Sequence, residues 1–138
     1  MSALLGEAHG RACANMHIVM VEDDGAWLRV IQAMLEHAGH QVTAFPDYRG
    51  ALELIESQEA IDLLLTDIQL PTDTPHGLSL ARMAKLRRRR LPILFMTGDP
   101  ELAELVDEDL GLALIKPFSR AVLLDAVQRS ISRRPEAD

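Results

Sequence analysis

The stretch Ile18-Val19-Met20-Val21-Glu22-Asp23-Asp24 decides the fold: a short, mostly β-branched apolar run stops at three consecutive acids. Such a run bounded by polar residues reads as a strand, here at about 16–22. Beyond the acids the period changes. Trp27, Ile31, Met34, Leu35 and Ala38 fall at i, i+4, i+7, i+8 and i+11, the apolar stripe of a helix, with Asp23 or Asp24 able to cap its start and Gly39 able to end it. The same pairing repeats outward along the chain. Residues 41–45 alternate polar and apolar as an edge strand does, and a helix over about 47–57 turns Ala51, Leu52 and Ile55 inward. Residues 61–67 are almost continuously apolar, which fits a central strand covered on both faces. The turn-rich loop 71–77 leads into a helix over about 78–89, then a strand at about 92–96, a brief acid-rich helix near 101–107 and a strand at about 112–115. A last helix carries Leu123, Leu124, Val127 and Ile131 on one side. Five strands alternating with helices specify a doubly wound parallel α/β sheet.

In such a sheet, ligands bind at the carboxyl ends of the strands. Four of the apolar runs end there on a reactive group: Glu22 and Asp23 after Val21, Asp67 after the Leu63-Leu64-Leu65 run, Thr97 after Met96, and Lys116 after Ile115. Taken singly, each has an ordinary explanation as a cap or a solvated side chain. Together they would gather three carboxylates, a hydroxyl and an ammonium on one edge. Like charges at a few Å resist full ionisation unless a cation offsets them. Mg²⁺ (or Mn²⁺) suits hard oxygen ligands and keeps water positions open for phosphate oxygens, so the set points to phosphoryl chemistry.

On Val-Glu-Asp-Asp at 21–24, Thr-Asp-Ile-Gln-Leu-Pro at 66–71, Met-Thr-Gly at 96–98 and Ile-Lys-Pro-Phe at 115–118, the chain resembles the receiver domain of two-component response regulators, from His17 to Ile131. The resemblance implies a flavodoxin-like sheet in the order 2-1-3-4-5 with helices on both faces, a receiver domain over 16–132, a flexible extension over 1–15 and a frayed tail over 133–138. It makes Asp67 the phosphoacceptor for a sensor histidine kinase or histidine phosphotransfer protein. Asp23 and Asp67 would hold the metal directly, Glu22 through water and Gln69 through its backbone carbonyl. Lys116 and Thr97 would contact the phosphoryl oxygens, and a cis peptide before Pro117 would aim Lys116. Such a domain is not an enzyme beyond its own phosphorylation and dephosphorylation. Gln69 and Asp99 occupy positions that flank the hydrolytic water and would tune phosphoryl lifetime.

The chain departs from the family pattern at Ala113, where receivers usually carry an aromatic or bulky residue coupled to the threonine. With Phe95-Met96-Thr97-Gly98, this resembles a subgroup of stand-alone receivers lacking an aromatic switch. The short span from Thr97 to Lys116 implies a stubby, mobile fourth helix, and the loop 71–77 is slightly lengthened. The expected function is a single-domain regulator that signals through an unidentified downstream protein or relays phosphate; the alternative is an interaction module indifferent to phosphorylation. A flavodoxin would need a hydroxyl- and glycine-rich phosphate loop where Glu22-Asp23-Asp24 stand, and a haloacid-dehalogenase-type phosphatase a second acid where Gln69 stands.

With 138 residues the chain has one domain's worth of length, and a single Cys13 allows no internal disulfide, so the expected compartment is cytoplasmic. The first fifteen residues are too interrupted by charge for a signal segment or membrane span. A formal charge of −7 disfavours nucleic acid, and no DNA-binding module is expected after the last helix. Arg87-Arg88-Arg89-Arg90 reads as a solvated helix end rather than a binding patch. The acids over 101–109 could serve a weak homodimer or partner face, or simply be solvated in a monomer. His76 reads as an exposed loop histidine, and Trp27 as a partly buried anchor near the site.

Overall fold

The computed structural model describes residues 15–70 and 76–134. Five parallel strands, β1 (His17–Val21), β2 (Gln41–Phe45), β3 (Leu63–Asp67), β4 (Ile93–Thr97) and β5 (Leu112–Ile115), form one sheet in the order β2-β1-β3-β4-β5. The helices are α1 (Gly25–His37), α2 (Tyr48–Ile55), α3 (Gly77–Arg87), α4 (Pro100–Glu104) and α5 (Arg120–Ser132). The flavodoxin-like doubly wound architecture read from the sequence is the one observed, with the alternating run 41–45 on an edge. Residues 1–14 of the extension and most of the loop after β3, residues 71–75, lie outside the described residues, as do 135–138.

Every residue of β1, β3 and β4 is buried, as strands covered by helices on both faces must be. Alternation along them divides the core. Val19, Val21, Leu64 and Phe95 meet α2 and α3 residues on one face, while Ile18, Met20, Leu65 and Met96 meet Ile31 and Leu35 of α1 and Leu123 and Val127 of α5 on the other. Registers are continuous across the sheet: Val21 lies beside Thr66, Thr66 beside Phe95, and Thr97 beside Ile115. The carboxyl ends of β1, β3, β4 and β5 are therefore level with one another.

Local chemistry sets the boundaries. Asp24, not Asp23, caps α1, accepting from the amides of Ala26 and Trp27 at 3.0 and 3.2 Å, which leaves Asp23 exposed at the sheet edge. Beyond the other end, Gly39 adopts φ 99°, a left-handed conformation that glycine takes without steric cost. Asp47 and Ser119 cap α2 and α5. The fourth helix is shorter than the span 101–107 read from the pattern: Asp99 caps it, Pro100 opens it, and after Glu104 the acids around Asp107 form turns instead. Among the described residues no helix is long and apolar enough to cross a membrane.

Candidate functional site

Level strand ends bring Glu22, Asp23, Asp67, Thr97 and Lys116 to one edge. Carboxylate oxygens of Glu22, Asp23 and Asp67 all lie within 4.8 Å of one another. Lys116 reaches over from the end of β5 and its Nζ donates to Glu22 Oε1 at 2.5 Å and to Asp67 Oδ2 at 2.9 Å. The Lys116–Pro117 peptide is cis, as the resemblance implied.

The second oxygens of the two buried acids are also engaged. The Asp24 amide donates to Glu22 Oε2 and the Gln69 amide to Asp67 Oδ1, both at 3.1 Å. Each carboxylate is thus held in a fixed orientation by one backbone N–H and one shared ammonium. The Gln69 side chain itself is exposed.

Electrostatics at this edge are unbalanced. Burial pushes the Glu22 carboxyl up to about 7, aided by the Asp67 charge and opposed by the Lys116 and Asp24 hydrogen bonds. Burial alone would lower Lys116, but its hydrogen bonds to Glu22 and Asp67 outweigh that and hold it above the ordinary lysine range. The two shifts have different causes: enclosure is the main reason that Glu22 favours its proton, and the hydrogen bonds to the two acids are the reason that Lys116 keeps its own. A donor set of clustered hard oxygens with surplus negative charge fits a divalent cation such as Mg²⁺.

Thr97 is fully buried, and its Oγ1 accepts the Asp99 amide at 3.0 Å. The Asp99 carboxylate is committed elsewhere, accepting the Glu101 amide at 2.9 Å as the cap of α4. Ala113 is half-buried on β5 beside Phe95, so only a methyl group stands at that position. Around Gly98 a side chain would meet nothing within 4 Å. Trp27 is half-buried with its ring centroid 5.4 Å from that of Phe118, and together with Val30, Lys116 and Pro117 it walls a shallow groove next to the acids. His76 is exposed at the start of α3 and makes no side-chain cap.

Sequence reading passed over Gly77. Its amide donates to the Ile68 carbonyl at 2.9 Å, and a Cβ there would lie 2.0 Å from the carbonyl oxygen of Asp67. The first residue of α3 therefore presses on the backbone that carries the central acid. Its signal in the sequence was a lone glycine closing a turn-rich loop, which the loop's other turn residues obscured.

Residues 18–128 match the family model described as the response regulator receiver domain. The chain belongs to that family. Among curated relatives, the response regulator receiver protein CpdR of Brucella abortus is 34% identical over 117 residues, covering 83% of this chain and 95% of that protein. The transcriptional regulatory protein CseB of Streptomyces coelicolor is 32% identical over 124 residues, and there the match covers 86% of this chain but half of the relative. A receiver protein from Sinorhizobium medicae superposes with a TM-score of 0.77 at 30% identity, covering 87% of this chain and 97% of that one. The receiver domain of a Pseudomonas aeruginosa sensor histidine kinase, solved with magnesium coordinated in its active site cleft, superposes with a TM-score of 0.74 at 32% identity, covering 86% and 99%. Receivers are phosphoacceptor signalling domains of two-component systems, taking phosphoryl groups from histidine kinases or phosphotransfer proteins and binding Mg²⁺ at an acidic site.

Proposed function

We propose that this receiver accepts a phosphoryl group on Asp67 and works as a single-domain response regulator. The observation that carries the reading is the Lys116 ammonium bridging Asp67 and Glu22, with Asp23 beside them. An Asp67 carboxylate oxygen attacks phosphorus, the bond from phosphorus to the donor's imidazole nitrogen breaks, and the electron pair leaves on that nitrogen; the product is an acyl phosphate. Phosphoryl transfer needs positioning and charge stabilisation more than covalent help from the protein. The Gln69 amide and Lys116 orient Asp67, and Lys116 then exchanges its contact with the carboxylate for a phosphoryl oxygen. Thr97 turns its hydroxyl to another oxygen, drawing the Gly98–Asp99 segment with it because the Asp99 amide is bonded to that hydroxyl. Glu22, Asp23 and Asp67, with the Gln69 carbonyl, would hold Mg²⁺, whose charge offsets that of the carboxylates and the transferring group.

Gln69 and Asp99 would set how long the phosphoryl group survives. Asp99 gives its Oδ1 to the cap of α4 and would act on water through its other oxygen. With Ala113 in the usual aromatic place, output would pass through the loop after β4 and the short α4 to an unidentified protein, or the phosphoryl group would be relayed onward. The Ala113 methyl also favours, as a second reading, an interaction module that binds its target without phosphorylation.

The test is to follow Trp27 fluorescence and a heteronuclear NMR spectrum of the wild type and Asp67→Asn during addition of Mg²⁺ and then beryllofluoride, a phosphoryl mimic. Saturable Mg²⁺-dependent changes that vanish in the variant are expected. Identical responses in both proteins, or none in either, would overturn the phosphoacceptor reading and leave the constitutive module.

A further inference from the structure

Thr66 stands immediately before the acid at the centre of the site and is fully buried. In the register of the sheet it lies between Val21 of β1 and Phe95 of β4, and along β3 it shares a face with Leu64. Val21, Leu64 and Phe95 all belong to the apolar core that meets α2 and α3. A valine has a similar shape, suits a strand equally well and would carry no hydroxyl into this core. A hydroxyl in such surroundings is unfavourable unless it is bonded. The one bond of the Thr66 side chain among the described residues runs from Oγ1 to the carbonyl oxygen of Asp67, at 3.0 Å.

That carbonyl lies past the end of a ladder. β1 stops at Val21, and its last pair with β3 is Val21 with Thr66, so Asp67 sits one residue beyond. The peptide after Asp67 is therefore held at one end by the Thr66 hydroxyl and at the other by β4, where the Ile68 amide donates to Met96 O at 2.9 Å. The following amide, that of Gln69, donates to Asp67 Oδ1 at 3.1 Å, while Lys116 holds Oδ2. The terminal torsion of an aspartate is soft, so these bonds and not a rotamer preference decide which way its oxygens face. If the peptide plane tilts, the Gln69 amide leaves Oδ1 and the carboxylate turns.

We propose that Thr66 is a positioning residue of the phosphoacceptor site: its hydroxyl fixes the peptide plane after Asp67 and, through the Gln69 amide, the orientation of the carboxylate. The inference rests on the reading of Asp67 as phosphoacceptor. Gly77 bears on the same carbonyl from α3 and limits how far it can move, whereas the Thr66 hydroxyl sets its tilt.

Thr66→Val removes the hydroxyl and keeps the shape, and Thr66→Ser keeps the hydroxyl and removes a methyl. The phosphodonor is acetyl phosphate at saturating Mg²⁺, from which acetate leaves as an Asp67 oxygen bonds to phosphorus; the product is followed by intact mass. Thr66→Val should react about tenfold more slowly than the wild type, and Thr66→Ser should recover most of that loss. In the metal-free protein the ¹³C shift of the Asp67 carbonyl and the Gln69 amide proton shift should move in Thr66→Val and return in Thr66→Ser. If Thr66→Val does not fold, Thr66→Ala against Thr66→Ser makes the same comparison at smaller volume, with alanine the slower. The role of Thr66 is refuted by a valine variant that reacts as fast as the wild type, by serine and alanine variants slowed alike, or by carbonyl shifts that ignore the hydroxyl. A wild type that gains no more phosphate than Asp67→Asn would instead overturn the phosphoacceptor reading, and the positioning role with it.

Discussion

Substituting Gly77 with alanine tests whether the packing of α3 positions Asp67. A Cβ at residue 77 would lie 2.0 Å from Asp67 O, 2.8 Å from Ile68 Cα and 2.9 Å from Asp67 C. All three are backbone atoms and cannot rotate away. A carbon beside a carbonyl oxygen settles near 3.3 Å, so either α3 or the end of β3 must retreat by about 1.3 Å. Overpacking of this kind costs about 2 kcal/mol, which in a domain of this size lowers the melting temperature by roughly 8 °C. If β3 gives way, Asp67 moves relative to Lys116, and an ångström of misplacement can reduce a reaction rate by about 100-fold. The matched control is Gly98→Ala, where nothing lies within 4 Å and the backbone is not left-handed; stability there should stay within about 0.5 kcal/mol. Thermal melts, with phosphorylation by a small-molecule phosphodonor followed through Trp27, measure both effects. A Gly77→Ala protein that melts and phosphorylates like the Gly98→Ala control would refute the claim that α3 sets the position of the acid.

Within the arginine run, Arg88→Ala should cost about 2 kcal/mol by chemical denaturation, because it loses two charge-assisted bonds to the carbonyls that end α2. Arg87→Ala breaks only an exposed pair with Glu56 and should change stability by less than about 0.5 kcal/mol; equal losses in the two variants would contradict this assignment. The third prediction concerns His40, whose pKa is lowered from the ordinary 6.5, mainly by burial and despite the opposing Asp62 charge. Below 6.5 the unfolded chain takes up the proton more readily, so this contribution to stability is complete above that pH and is lost as pH falls through the folded-state value. The drop in melting temperature from pH 7.5 to 5.5 should therefore be smaller in His40→Asn, whose amide oxygen can still accept the Met16 N–H; parallel curves would argue against a buried neutral His40.

Strand and helix order were legible in the sequence because each central strand is buried on both faces and so writes an unbroken apolar run, while α1 and α5 write a 3.6-residue stripe. The residues at the site edge were legible for a related reason: a parallel sheet places the residue after each run on the same rim. Pairwise choices were not. Asp23 and Asp24 are equivalent caps in one dimension, and only the chain's exit angle from β1 hands the cap to Asp24 and the rim to Asp23. Arg88 looked like one of four solvated arginines, yet the turn after α3 aims it back at the end of α2. The short fourth helix could be anticipated from chain length alone, but its stopping point at Glu104 could not. Gly77 stayed hidden since its requirement is set by a carbonyl ten positions earlier, a contact with no local periodicity.

The carboxylates of Glu22, Asp23 and Asp67 crowd one rim of this sheet around a single ammonium, that of Lys116, on a chain of formal charge −7. The negative field of the whole chain is therefore reinforced at that rim. At long range the molecule will rotate in the field of an approaching partner, so a basic surface meets the Asp67 rim first and collisions from behind are wasted less often. That alignment fades as salt is added, because exposed charges farther apart than the Debye length, about 30 Å at 0.01 M and about 8 Å at physiological ionic strength, are largely screened from one another. Encounter rates with a basic partner would then fall with added salt faster than the affinity of the final complex.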